Sequence, residues 1–197
     1  MSDHLKGKES QENPLERVEV AMKDLAQASA EFESAIRDCG YTLDGVMESK
    51  ECKFASHERP GGEGPKYEIS TDHAPSLEVY RGARFHGLVM KSKVFYPHKI
   101  LESVAYKNSQ GTRITQLNGD EVSKIDESGV HVQKKTDTPT GIMAALKQGI
   151  GRVIPGIVTQ GGKIEEAVVS HDELIQSAER MAKGFRAAKK LLSGNKA

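Results

Sequence analysis

Past a polar start, large apolar residues fall at Leu15, Val18, Met22, Leu25, Phe32, Ile36 and Cys39, with Ser29 filling the one polar place in the series. The steps alternate between three and four residues, as they do in a helix that buries one stripe in heptad fashion. Asn13 can cap this helix, Pro14 suits its first position, and Glu16 stands three residues past the cap. Ala21, Ala26, Ala28 and Ala35 flank the stripe and would let a partner helix approach closely, and Gly40 closes the segment. A second stripe, Leu174, Ala178, Met181, Phe185, Ala188 and Leu192, follows the capping-box sequence Ser170-His171-Asp172-Glu173 and stops at Ser193-Gly194.

Between these helices the pattern changes. Residues 41–66 read as irregular and end in the loop Pro60-Gly61-Gly62-Glu63-Gly64-Pro65. Leu77–Tyr80, Phe85–Tyr96 and Ile100–Tyr106 are rich in strand formers, and Val130-His131-Val132 is a shorter candidate. Asn108–Gly111, Asn118-Gly119 and Glu127-Ser128-Gly129 read as turns, and Asn-Gly is the strongest hairpin signal among them. Turns this short join antiparallel strands, so a meander of about five or six strands is expected. Ile142, Leu146, Ile150 and Val153 recur at helical spacing until Pro155, and Ile164–Val169 is ambiguous between a strand and a lead-in to the last helix. The expected fold class is α+β: a small antiparallel meander flanked by N- and C-terminal amphipathic helices of heptad character. Its organisation reads as a polar tail (1–12), a helix (13–40), a loop-rich β region (41–136) and a C-terminal helical region (137–197).

Composition changes this picture in one respect. Apolar residues make up 37% of the chain, charged residues 28%, and Trp is absent. The apolar share is below the roughly 45–50% of ordinary globular chains, which points to exposed arms rather than one compact ball. Net charge is zero, so no global field favours nucleic acid or an anionic surface. The start of the chain has no apolar run of the signal-peptide kind, and Ile142–Val158, the most apolar stretch, is interrupted by Lys147, Arg152 and Pro155. With Cys39 and Cys52 read as reduced thiols, a cytoplasmic protein without a membrane span is expected.

The two helices differ in charge. The first carries six acids and three bases over 13–39, and the last carries three acids and five bases over 171–192. Opposite charge with matching stripes favours pairing, within one chain or between chains. The candidate interface is Leu15, Val18, Met22, Leu25, Phe32 and Ile36 with Leu174, Met181, Phe185 and Leu192.

Motifs for chemistry fail on inspection. Gly156–Lys163 has the look of a phosphate loop, but Ile164 stands where Ser or Thr should hold magnesium. Gly149-Ile150-Gly151 lacks the third glycine of a dinucleotide fingerprint. Cys39, Cys52, His57 and His73 lack the paired spacing of a zinc site, so no metal and no cofactor is expected. His57-Glu58 and Asp72-His73 read as solvated loop pairs. One local bias stands out: Val79–Leu101 has no acid, and it interleaves Arg81, Arg84, Lys91, Lys93 and Lys99 with Tyr80, Phe85, Phe95 and Tyr96. Lys91, Lys93 and Phe95 share strand parity, the footprint of a sheet that binds single-stranded nucleic acid. The leading expectation is a non-enzymatic assembly or adaptor subunit associating through its helices with a protein partner or itself, as in a viral or other large particle. The alternative is nucleic-acid binding through 79–101, and third comes a small hydrolase built from scattered residues.

Overall fold

The computed structural model describes residues 13–39, 45–82, 87–136 and 163–194. The polar tail, Gly40, Arg84 and Phe85, the periodic run from Ile142 and the glycines 149–162 lie outside the described residues.

Both terminal helices form, α1 over Pro14–Asp38 and α2 over His171–Gly194. The Asn13 side chain accepts the Leu15 N–H at 3.0 Å, which satisfies one of the orphan donors at the start of α1. The capping box expected at α2 is replaced by other bonds. The Glu173 N–H reaches the Ser170 carbonyl at 3.3 Å, but the Glu173 carboxylate accepts from the Asn118 amide, tying the helix start to a sheet turn.

The sheet is larger than the sequence suggests, with ten strands among the described residues rather than five or six. In chain order they are β1 (Gly45–Glu48), β2 (Lys53–Glu58), β3 (Pro65–Ser70), β4 (Ser76–Gly82) and β5 (Gly87–Tyr96). There follow β6 (Lys99–Asn108), β7 (Gly111–Leu117), β8 (Asp120–Asp126), β9 (Gly129–Thr136) and β10 (Lys163–Val169). Each pairs antiparallel with its sequence neighbour, so the meander topology holds throughout. The first two strands fall in the region read as irregular. Lys53–Glu58 buries only Phe54 and Ala55, so it shows no alternation, and pairing with β3 makes it a strand. The ambiguous stretch 164–169 becomes β10 because Lys163 lies opposite Thr136 and the pairing continues to Val169 against Val130.

Asn118 and Gly119 take φ of 56° and 88°, the left-handed pair of a two-residue hairpin turn. Gly129 has a φ of 144°, and a Cβ there would lie 2.6 Å from Val168 Cγ1, so only glycine lets β9 start beneath β10.

One face of the sheet forms the core. Phe54, Tyr67, Ile69, Leu77, Val79, Met90, Ile114, Leu117, Val130 and Val132 are buried in one cluster with the helices. Both helices lie on that face and run in the same direction, because Arg17 pairs with Asp172, Asp24 with Arg186 and Glu31 with Lys189. The Phe32 ring is 5.1 Å from that of Phe185, 6.2 Å from Phe54 and 6.0 Å from Tyr67, so one aromatic cluster ties α1, α2, β2 and β3 together. Gly184 lets α2 lie close on β4, since a Cβ there would meet Leu77 Cδ2 at 3.0 Å. The polar break at Ser29 is completely buried and donates its hydroxyl to the Ala26 carbonyl at 3.0 Å.

The buried faces are wider than a heptad seam. Besides its stripe, α2 buries Ile175, Ser177, Ala182 and Gly184, because it lies against α1 on one side and the sheet on the other. Replacing Leu25 and Phe32 by Asp places two charges in this interior. The expected outcome is loss of the cooperative melt and of near-ultraviolet circular dichroism. A folded double variant of altered mass would instead place the seam between chains.

Candidate functional site

The candidate interface residues divide by burial. Val18, Leu25, Phe32, Ile36, Leu174, Met181, Phe185 and Leu192 are each at most 7% exposed, while Leu15 and Met22 are partly buried at the margin. The opposite charges of the helices, noted in the sequence, find each other inside one chain. Arg17 reaches Asp172 at 2.9 Å, Lys189 reaches Glu31 at 2.9 Å, and Arg186 Nη1 reaches Asp24 at 3.1 Å. The buried residues of both stripes pack in one core cluster within the chain.

The basic strands have a different surrounding. Lys91, Lys93 and Phe95 do share the face turned away from the helices, as their parity requires, but carboxylates from neighbouring strands share it too. Lys91 stands opposite Glu78 in register and 5.9 Å from the centre of the Tyr80 ring, which Arg59 also covers at 5.0 Å. Lys93 lies 3.9 Å from Glu102. Further along, Lys66 sits between Glu68 at 2.6 Å and Glu78 at 3.7 Å, and His57 lies 3.6 Å from Glu68. Lys91 and Lys93 of the acid-free run therefore stand beside acids that lie outside it in sequence. Arg81 ends β4 with its carbonyl accepting from Arg59, and Arg84 lies outside the described residues.

The hydrogen bond from Lys66 holds the Glu68 carboxyl below its ordinary value of 4.5. A carboxylate with a lowered folded value stabilises the fold above the ordinary value, and that stabilisation is lost as pH falls through the folded value. Both partners are partly exposed, so Glu68→Gln should cost at most about 1 kcal/mol at neutral pH. The difference from wild type in urea titrations should vanish in acid.

A second cluster escaped sequence reasoning altogether. His131 on β9 places Nε2 at 3.1 Å from both Asp126 Oδ1 and Ser128 Oγ, and Nδ1 at 3.2 Å from Glu166 on β10. Asp126 is held well below the usual carboxylate range by hydrogen bonds from Lys124, Ser128 and His131 in turn. Serine, histidine and glutamate in this order invite comparison with a hydrolytic triad. The chemistry does not follow. Asp126 competes with Ser128 for the nitrogen that would take the serine proton. The arrangement pins the β8–β9 turn to the β10 edge. Only the Asp-x-Ser spacing of the turn was legible in sequence, because Glu166 arrives by strand pairing.

A pocket of about 90 Å³ lies between the end of α1 and β3–β5, floored by Phe32, Ile36, Tyr67, Val79 and Leu88 and rimmed by Arg37 and Arg81. Among the described residues there is no group of three or more His, Cys, Asp or Glu placed to hold a metal ion. Cys39 and Cys52 are free thiols, and burial pushes that of Cys52 up.

Three of the exposed large apolar side chains among the described residues lie at the tip of the β5–β6 hairpin. Phe95 is 62% exposed, Tyr96 55% and Ile100 59%, and Phe95 and Ile100 face each other across the two strands. No described helix is long and apolar enough to cross a membrane. Comparison with family models, curated proteins and solved structures finds no match to this chain.

If Arg84, Lys91 and Lys93 all contacted phosphates, the affinity for single-stranded DNA would fall with salt at a log–log slope of about −2, at roughly −0.7 per contact. With carboxylates already beside Lys91 and Lys93, we expect a slope shallower than about −1. Fluorescence anisotropy of a labelled oligonucleotide across a salt series measures it.

Proposed function

We propose that this protein is a non-enzymatic adaptor subunit that docks through the tip of the β5–β6 hairpin, while its terminal helices serve as the internal scaffold. The observation that carries this reading is the contrast in burial. The large apolar residues of both helix stripes lie inside the chain, whereas Phe95, Tyr96 and Ile100 are each more than half exposed at one place. Exposed aromatic and aliphatic side chains in a cluster are the usual mark of a surface that meets another body. Single exposed residues such as Val20 carry no such meaning.

A photo-crosslinking amino acid at position 95, with the same group at Val20 as control, tests the proposal in the cell of origin. The expected result is a discrete adduct from position 95 and none from position 20. No adduct from position 95, or equal yields at both positions, would refute docking through the tip.

A further inference from the structure

The hairpin tip is more than an exposed patch, because it projects beyond the sheet. The pairing of β4 with β5 ends at Ser76 opposite Lys93, and that of β7 with β6 begins at Val104 opposite Gln116. Among the described residues Val94–Tyr96 and Lys99–Leu101 therefore pair only with one another, as a two-stranded ribbon with no further strand beside it. Three residue pairs at the rise of a strand give an overhang of roughly 10 Å. Such a ribbon is marginal alone in water, yet it carries apolar side chains on both faces: Phe95 and Ile100 on one, Val94, Tyr96 and Leu101 on the other.

Within the tip itself the charges are of one sign. From Val94 to Leu101 there is no acid, only His98 and Lys99. At the base of the ribbon Lys93 is neutralised by Glu102. From α2, the guanidinium of Arg180 comes within electrostatic reach of Tyr96, and its Nε is buried without a hydrogen-bond partner. Lys99 and Arg180 have no ion-pair partner among the described residues, so the tip holds uncompensated positive charge next to exposed apolar surface. The adjoining turns carry Asp72 and Asp120, which confines the cationic character to the hairpin itself.

Resting on the docking role above, we infer that the body met by the tip is a bilayer surface containing anionic lipid. Phe95, Tyr96 and Ile100 enter the boundary between headgroups and acyl chains, and Lys99 and Arg180 meet lipid phosphates. The overhang matches the roughly 5–10 Å depth at which peripheral elements seat themselves, and aromatic residues with bases beside them suit that zone. Each base near an anionic surface contributes about fivefold in affinity.

The full chain has no Trp, so Phe95→Trp supplies a single fluorescent reporter. With phosphatidylcholine vesicles containing phosphatidylserine at low salt, the emission of the introduced indole should shift to the blue and the protein should sediment with the vesicles. Vesicles of phosphatidylcholine alone should bind far less. Phe95→Ser with Ile100→Ser should weaken sedimentation by at least about tenfold while leaving the melting temperature unchanged, as expected of exposed side chains. Lys99→Glu should weaken it by at least about fivefold. Three results overturn the inference: no sedimentation with anionic vesicles, undiminished sedimentation of the folded double serine variant, or an introduced indole that stays in water. If vesicles are not bound but position 95 crosslinks to a protein, the lipid assignment falls and docking through the tip stands. If neither occurs, both fall.

Discussion

The packing of α1 on α2 over one face of the sheet is the constraint on which the other features depend. Phe32 makes ring contacts with Phe185, Phe54 and Tyr67, so a single side chain joins both helices to the sheet. The helices at the two chain ends can meet only if the intervening meander returns the last strand to a place from which α2 crosses back over the core. Hydrogen bonds from Asn118 to Glu173 and between His171 and the Asp126 carbonyl fix that return. The ion pairs along the helix seam are exposed and contribute little each, but they match in one alignment only and so specify it.

The helices cover one face of the sheet, and the other carries charged side chains around the buried Val89 and Val104. On that other face lysines, a histidine and glutamates alternate from strand to strand. That pattern is cross-strand stabilisation of a charged face. It sets acids from neighbouring strands beside Lys91 and Lys93 of the run 79–101, which holds no acid of its own. Distinct from it is the place where β5 and β6 continue with no further described strand beside them.

The core also accommodates polar groups at a cost. Ser92 and Ser177 are buried with hydroxyls lacking a hydrogen-bond partner among the described residues. Both lie where α2 packs on the middle strands, and their small size keeps the helix close to the sheet, as Gly184 does against Leu77. Arg180 on the same helix is partly buried and lies within electrostatic reach of Tyr96.

The features legible in sequence are those set by local physics. Asn13, Pro14 and the three-four spacing determine α1, the left-handed preference of Asn118-Gly119 determines its turn, and alternation marks the central strands. Strand parity alone told which side chains of β5 share a face. Decisions between distant segments were not legible. Which surface each apolar stripe meets, that Lys53–Glu58 and Lys163–Val169 are strands, which carboxylates stand beside Lys66 and Lys93, and where β5 outruns β4 all depend on pairings between residues far apart in the chain. A stripe of apolar residues states that something will cover it. Only the folded chain chooses what, because burial rewards any matching surface and topology determines which one is within reach.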